Sequence, residues 1–328
     1  MDKKNIKALG LCSGGLDSIL SGLILKNQGI DVTWVSFETP FFNGDKAEKA
    51  SRQTGIPLIR KDISDIYLSM LRNPRLGYGK NMNPCRDCHS LMFQLAGQMM
   101  EGEGYDFLFS GEVMGQRPLS QTRQALRYVE KQSGFDGKIL RPLSARSLPE
   151  TDVEKRGLVD REFLKDFSGR SRKPQIELAK EMGITNYPSP AGGCLLTDKN
   201  FSRRLKDLFD HEDHCMVNDI HLLKFGRHIR LNEKIKIVVG RTRGDNQSIL
   251  ALNDEERYLE LDAVGIGSPT ILVPVHADQE SVALAAAICI GYTKTPQGQT
   301  AQVQIRTNVG SEILSVKAVE PGSAGVML

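Results

Sequence analysis

No apolar run in this chain is long enough to cross a bilayer: the longest, VALAAAICIGY from Val282, falls far short of the ~20 residues a spanning helix needs. Basic residues precede an apolar run in the N-terminal MDKKNIKALGLCSGG, yet that run is short and lacks a small-residue cleavage site. No signal peptide and no membrane partner are therefore expected, and the protein is expected to be cytoplasmic. Net charge is scarce as well: +3 over 328 residues does not by itself imply a polyanionic partner, so local charge has to carry any such argument. Neither internal repeats nor low-complexity tracts are found. Six cysteines in a chain expected to stay inside the cell read as thiols, metal ligands or catalysts, not as a disulfide framework.

What is present is the composition of a folded globular protein, 40% hydrophobic and 25% charged, at a length that favours two domains when a domain takes roughly 150 residues. From Ile6 to about Ser110 strand and helix patterns alternate. IKALGLC, DVTWVSFET, PLIRKDI and YDFLFSGEV read as strands, while DSILSGLILKNQG, DKAEKASRQTG and SLMFQLAGQMMEGEG read as helices, two of them closed by Gly29 and Gly55. That alternation predicts an α/β fold with a parallel sheet, whose ligands gather at the carboxyl ends of its strands. KPQIELAKEMGI reads as a later helix with proline near its start. After His221, KIKIVVGRT, QSILAL and TILVPV read as short β-rich segments and DQESVALAAAICIGYTK as a helix. A boundary near 210 to 220 divides the chain into a first domain, 1–212, and a smaller α+β domain, 213–328.

SGGLDS, from Ser13 to Ser18, falls between the first strand and the first helix. Gly14 and Gly15 permit positive φ and close approach of a ligand to the amides, and the following helix aims its free N–H groups at the same point, so phosphate is the natural guest. The Walker pattern GxxxxGK[ST] is missing, which disfavours an ordinary P-loop NTPase. Asp17 stands where a lysine would be expected, and a carboxylate beside phosphates makes sense if it helps hold Mg²⁺. The plainer alternative is a glycine turn with a helix-terminal acid. As written, Ser13, Gly14, Gly15, Leu16, Asp17 and Ser18 resemble the pyrophosphatase loop of the ATP pyrophosphatase (PP-loop) superfamily. The resemblance implies an adenine nucleotide alpha hydrolase-like fold and ATP cleavage between the α and β phosphates, with AMP passed to a carbonyl oxygen.

NPCRDCHSLMF puts Cys85 and Cys88 at CxxC spacing, and Cys194 stands alone in PAGGCLLTD. Cys85, Cys88 and His89 also spell the c-type haem attachment pattern, which is set aside because such attachment belongs to exported proteins. Taken in order, SGGLDS, NPCRDC and AGGCLLTD are similar to the tRNA 2-thiouridine synthetases. GEVMGQRPLSQTRQAL followed by ILRPL is similar to the 4-thiouridine synthetases. In the cluster-dependent branch of these enzymes a CxxC pair and one distant cysteine hold a [4Fe-4S] cluster with an open iron, so the resemblance implies Cys85, Cys88 and Cys194 as its ligands. A persulfide or disulfide relay and zinc stay open as alternatives. Cys12, Cys215 and Cys289 read as buried or unpatterned thiols, and His89 as a neighbour of the site.

Between His221 and Arg243 lie Lys224, Arg227, Arg230, Lys234, Lys236, Arg241 and Arg243, opposed only by Glu233. Such a stripe can pair with RNA phosphates; equally, it can be a solvated strand face. GRHIRLNEKIKIVVGRTRGDNQ, GSPTILVPV and ESVALAAAICIGYTKTPQGQTAQVQI resemble the RNA-binding domain of the NFACT proteins of ribosome quality control, with RYLELDAVGI in place of that domain's Trp-Leu-His element. Together the resemblances imply an ATP-dependent tRNA thiouridine synthase. Asp17, Cys85, Cys88 and Cys194 would be catalytic, ATP, Mg²⁺ and the cluster its cofactors, and tRNA and a sulfur donor (cysteine desulfurase, relay protein or sulfide) its partners. The alternative is an ATP pyrophosphatase acting on a small molecule, by sulfur insertion or amide ligation; a third reading is an RNA-binding protein with an inactive nucleotide fold.

Overall fold

The computed structural model describes residues 5–189, 194–296 and 298–328. Residues 190–193, the first four of PAGGCLLTD, lie outside the described residues, whereas Cys194 lies within them. The chain divides into two compact units, Met1–Thr197 and Asp198–Leu328.

The first unit is α/β. Its strands β1 (Lys7–Leu11), β2 (Asp31–Glu38), β3 (Leu58–Asp62), β4 (Phe107–Ser110) and β5 (Ile139–Leu140) form a sheet in the order β3-β2-β1-β4-β5. Every ladder is parallel. Ala8, Leu9, Trp34, Val35, Phe107, Leu108 and Phe109 are at most 1% exposed, because helices cover both faces and the strands can be apolar without a break. Those helices are α1 (Leu16–Lys26), α2 (Asp45–Thr54), α3 (Ser64–Arg72), α4 (Cys85–Glu103), α5 (Arg123–Ser133), the one-turn α6 (Asp152–Lys155) and α7 (Lys173–Glu181). In α1 the buried Leu16, Ile19, Leu20 and Ile24 recur at helical spacing and join the core. The helix read from SLMFQLAGQMMEGEG starts earlier than that segment, at Cys85, so both cysteines of the CxxC pair lie in its first turn.

Strand order reverses between β1 and β4, and the crevice of such a sheet opens at the carboxyl ends of those two strands. Residues 12–15 leave β1 there, and residues 111–121 leave β4 beside them.

The second unit is α+β. Its elements are α8 (Lys199–His211), α9 (Val217–Leu222), β6 (Arg227–Arg230), β7 (Lys236–Val239), α10 (Arg243–Ala251), β8 (Tyr258–Ala263), β9 (Ile271–Pro274), α11 (Gln279–Gly291), β10 (Thr300–Thr307), β11 (Gly310–Lys317) and β12 (Val326–Met327). Seven strands pair antiparallel in the order β11-β10-β8-β9-β7-β6-β12. Helix α11, capped by Asp278 through Ser281 N at 2.7 Å, buries Ala285, Ala286, Ile288, Cys289 and Ile290 in one core with Ile237, Leu261 and Ile305. QSILAL, expected among the β-rich segments, lies in α10. Thr242 caps that helix by accepting from Asp245 N at 3.1 Å, and Ile249 is buried while Leu250 and Ala251 after it are both exposed, which strand alternation would not give. Among the described residues no helix is long and apolar enough to cross a membrane.

Candidate functional site

The SGGLDS turn joins β1 to α1. Gly14 takes a φ of +69°, and a β-carbon there would lie 2.1 Å from the backbone carbon of Lys46, so α2 closes tightly on the turn. Gly15 occupies the N-cap of α1 without any side-chain cap, which leaves the first amides of the helix for a ligand. Around the turn, Gly14 N donates to Cys12 Sγ at 3.4 Å, Gly15 N to Ser13 Oγ at 3.4 Å and Ser18 Oγ to Gly15 O at 2.9 Å. Burial pushes the Cys12 thiol up to about 11.

Asp17 points into the first unit. Its Oδ2 accepts from Gln116 Nε2 at 2.9 Å, while Oδ1 is buried with no hydrogen-bond partner among the described residues. Burial raises its pKa, against the Gln116 hydrogen bond and the charges of Arg172 and Arg117. Gln116 Oε1 in turn accepts from Gln175 Nε2 at 3.4 Å, and the buried Gln175 Oε1 and Arg172 Nε are also without partners. Among the described residues, Asp17 Oδ1, Gln175 Oε1 and Arg172 Nε are thus three buried polar atoms that a polar ligand could engage.

The loop after β4 presses on this turn, since a β-carbon at Gly111 would lie 2.4 Å from the carbonyl carbon of Asp17. The next residue, Glu112, is buried. Its Oε1 lies 2.8 Å from His89 Nδ1, and its Oε2 accepts from Arg141 Nε at 3.0 Å and Ser110 Oγ at 3.2 Å. Burial works to raise the Glu112 carboxyl, but Arg141 and then His89 outweigh it and hold it at about 2. Arg141, itself buried, also pairs with Glu130 of α5. The network fixes the first turn of α4 to the end of β4.

Cys85 and Cys88 occupy that first turn. Cys85 Sγ lies 2.9 Å from Asn83 Oδ1, and burial raises its thiol against that bond and the charge of Arg117. Cys88 is pushed up to about 12 by burial, despite a hydrogen bond with Tyr67 of α3. Cys194 is raised by burial, with Leu196 N and Arg117 opposing. Cys194 acts electrostatically on Cys88, and Cys85 on both, so the fold brings the three thiols into one neighbourhood.

The expectation of a [4Fe-4S] cluster on Cys85, Cys88 and Cys194 is corrected here. Among the described residues no group of three or more His, Cys, Asp or Glu side chains is placed to hold a metal ion. Metal ligation needs sulfurs turned on one point, whereas Cys85 is engaged with Asn83 and Cys88 with Tyr67. The same finding speaks against zinc on these cysteines.

Gln116 and Arg117 lie in the GEVMGQRPLSQTRQAL motif and Gln175 in the KPQIELAKEMGI helix, but nothing in those segments marks them, or Arg172, as partners of Asp17. They come from a loop and a helix start about a hundred or more residues from Asp17, where no local spacing announces them.

In the second unit the basic stripe is divided. Arg230 pairs with Asp207 through contacts of 3.0 and 2.6 Å, Lys236 lies 3.6 Å from the same carboxylate, and Arg241 pairs with Asp245 at 3.0 Å. Arg227 stacks 4.8 Å from the centre of the Tyr292 ring, and Lys224 Nζ lies 2.9 Å from His221 Nδ1. Lys234 and Arg243 stand exposed.

Comparison with known proteins fits both halves. Residues 226–324 match the model of the NFACT protein RNA binding domain. The chain is 32% identical over 108 residues to a tRNA-specific 2-thiouridylase, MnmA 2, of Thermoanaerobacter sp., covering 27% of this chain and 29% of that protein. It is 26% identical over 234 residues to the tRNA-specific 2-thiouridylase MnmA of Herpetosiphon aurantiacus, covering 61% of this chain and 58% of that one. Among solved structures, a 4-thiouridine synthetase in complex with RNA and bound ATP is 22% identical with a TM-score of 0.34, over 54% of this chain and 51% of the other. The chain is thus distantly related to 2-thiouridylases and spans less than two thirds of the length of the relatives it matches.

Proposed function

We propose that this protein is an ATP-dependent tRNA thiouridine synthase, which adenylates a uridine carbonyl oxygen and replaces that oxygen by sulfur. The observation that supports the reading is Arg117, whose charge acts on Asp17 of the glycine turn and on Cys85 and Cys194 alike, as a nucleotide pocket that shares one site with the thiols requires. Distant similarity to 2-thiouridylases and the RNA-binding match over 226–324 support RNA as the substrate.

In this reading the phosphates of ATP lie on the amides from Ser13 to Ser18, and a cation enters only as part of the nucleotide substrate. The uridine oxygen attacks the α-phosphorus, the bond to the β-phosphate oxygen breaks, and pyrophosphate leaves. The amides and Arg117 stabilise the charge that develops. AMP esterification turns the uridine oxygen into a good leaving group. The terminal sulfur of a cysteine persulfide, loaded by a cysteine desulfurase or relay protein, then attacks that carbon and AMP departs with the oxygen. A second cysteine thiolate cleaves the S–S bond, which releases thiouridine and leaves a disulfide for a thiol reductant to reopen. Cys85 and Cys194, both half-buried and mutually coupled, suit these two roles better than the buried Cys88.

The test combines the full chain, ATP, unmodified tRNA and a persulfide donor. Pyrophosphate release that depends on tRNA, and a thiouridine in the digested tRNA by mass spectrometry, are expected. AMP production indifferent to tRNA, with no thiolated nucleoside, overturns the reading.

A further inference from the structure

Two loops of the first unit, residues 73–84 and 115–123, carry Arg75, Lys80, Arg117 and Arg123 and not one carboxylate. They meet in space: Leu119 lies against Gly79, where a β-carbon would be 3.7 Å from its Cδ1. The first loop is also tied to the Cys194 segment, because Asn81 Nδ2 donates to Thr197 O at 2.7 Å. It is held from below by α4, whose Asp87 Oδ2 accepts from Leu76 N at 2.9 Å and whose Oδ1 accepts from Tyr128 Oη at 3.3 Å. The loops therefore converge over the cysteines and are not free ends.

Their outer surface has a particular chemistry. Tyr78 is 40% exposed and Leu119 62% exposed, although each is large and apolar enough to be buried. Lys80, Arg117 and Arg123, with Arg86 from the first turn of α4 lying 5.8 Å from the centre of the Tyr128 ring, are exposed and have no ion-pair partner among the described residues. Asp87, beside Arg86 in the first turn of α4, is buried and already engaged by Leu76 and Tyr128. Unpaired cations interleaved with an exposed aromatic ring match a nucleic-acid strand, whose phosphates take the cations and whose bases take the ring. A protein partner would find four unmatched positive charges at its centre, where interfaces are poor in charge.

We propose that this rim, centred on Tyr78 and Leu119 and framed by Lys80, Arg86, Arg117 and Arg123, is where the substrate RNA strand lies on the catalytic unit. The inference rests on the thiolation reading and deepens it. It places RNA recognition on the first unit itself, beside Cys85 on α4 and Cys194 beneath the loop, in addition to the RNA-binding match in the second unit. An unpaired loop of tRNA fits the rim better than duplex, since the exposed ring offers a stacking platform.

The experiment measures binding of an unmodified tRNA transcript to the full-length protein across a salt series. The Lys80→Glu, Arg86→Glu, Arg123→Glu triple variant is compared with wild type, and its melting temperature checks that it folds. Weaker binding is expected, with a slope of log K against log salt flatter by ~0.7 for each single-strand phosphate that the variant no longer neutralises. Tyr78→Ala is expected to weaken binding by about tenfold without changing that slope, as loss of one stacked base would. A photo-reactive residue at position 119 should cross-link to the tRNA. Unchanged affinity and slope in the folded triple variant, or cross-links to protein only, overturn this surface while leaving tRNA binding by the chain as a whole intact. Failure of the wild-type protein to bind tRNA at any salt overturns the thiolation reading and this surface with it.

Discussion

Gln116 Nε2 donates to Asp17 Oδ2 at 2.9 Å, joining the loop after β4 to the glycine turn after β1 across 99 residues of sequence. The bond crosses the point where strand order reverses, and it leaves Oδ1 of Asp17 buried and unmatched. Asp17→Asn keeps an acceptor for Gln116 and removes the charge. Because burial raises the Asp17 pKa, its ionised form costs stability at neutral pH, and the variant should melt no lower than wild type. If the carboxylate serves the bound nucleotide, pyrophosphate release should fall by ~10²-fold or more. Undiminished release by the folded variant would remove Asp17 from the site.

Gly111 reports on the same junction through space. Its missing β-carbon would lie 2.4 Å from the Asp17 carbonyl carbon, and backbone cannot swing aside as a flexible side chain can. Gly111→Ala is expected to cost ~1–3 kcal/mol and to displace the turn, so nucleotide turnover should fall with stability. Gly102, inside α4 with nothing within 4 Å of its β-carbon position, provides the contrast. Gly102→Ala should raise stability by about 0.5–1 kcal/mol without touching turnover. Equal losses in urea unfolding for the two variants would contradict the packing at Gly111.

The buried Glu112 makes stability depend on acid. Its carboxyl is held at about 2 in the folded protein, below the 4.5 of an unperturbed glutamate, because Arg141 and His89 outweigh its burial. A carboxylate lowered in the folded state binds fewer protons than in the unfolded one, so its stabilisation is present in full above the unfolded value and is lost as pH falls from about 4.5 towards 2. The contribution is roughly 3 kcal/mol at neutral pH. Glu112→Gln leaves Arg141 with Glu130 alone and should cost roughly 1–3 kcal/mol, while flattening the stability profile between those pH values. A wild-type unfolding free energy that stays level through that window would show that the network does not act this way.

The parallel sheet was legible because its inner strands are largely apolar and are separated by amphipathic helices, a pattern each segment carries by itself. QSILAL was not, since a six-residue apolar stretch fits either period and only the Thr242 cap, one turn upstream, decides for helix. The turn from Ser13 to Ser18 announces a ligand locally through its glycines and its place before a helix. Gln116, Arg117 and Gln175 lie in segments that were legible as a motif and a helix, but their place at Asp17 was not, because tertiary folding alone brings them there. The cluster reading failed for a related reason: CxxC spacing and a distant third cysteine bring sulfurs near one another, as the coupling of Cys85, Cys88 and Cys194 shows, but spacing says nothing of how each sulfur is turned or whether it keeps its proton.

Those protons set the last prediction. Burial raises all three thiols, so little thiolate exists at neutral pH and alkylation should be slow there, speeding as pH rises beyond the range of an ordinary cysteine. Of these three, Cys85 and Cys194, half-exposed, should label before Cys88 in the native protein. Cys88, at about 12 and bonded to Tyr67, should label only on unfolding, as should Cys12 and Cys289, each at about 11. If sulfur travels as a persulfide, Cys85→Ser and Cys194→Ser should each abolish thiouridine formation yet leave tRNA-dependent pyrophosphate release in place, because adenylation needs no thiol. Cys88→Ser should retain part of the thiolation. Mild oxidation of wild type should join Cys85 to Cys194, detectable as a linked peptide pair by mass spectrometry. Full thiolation by the Cys85→Ser, Cys194→Ser double variant would take the sulfur transfer away from these residues altogether.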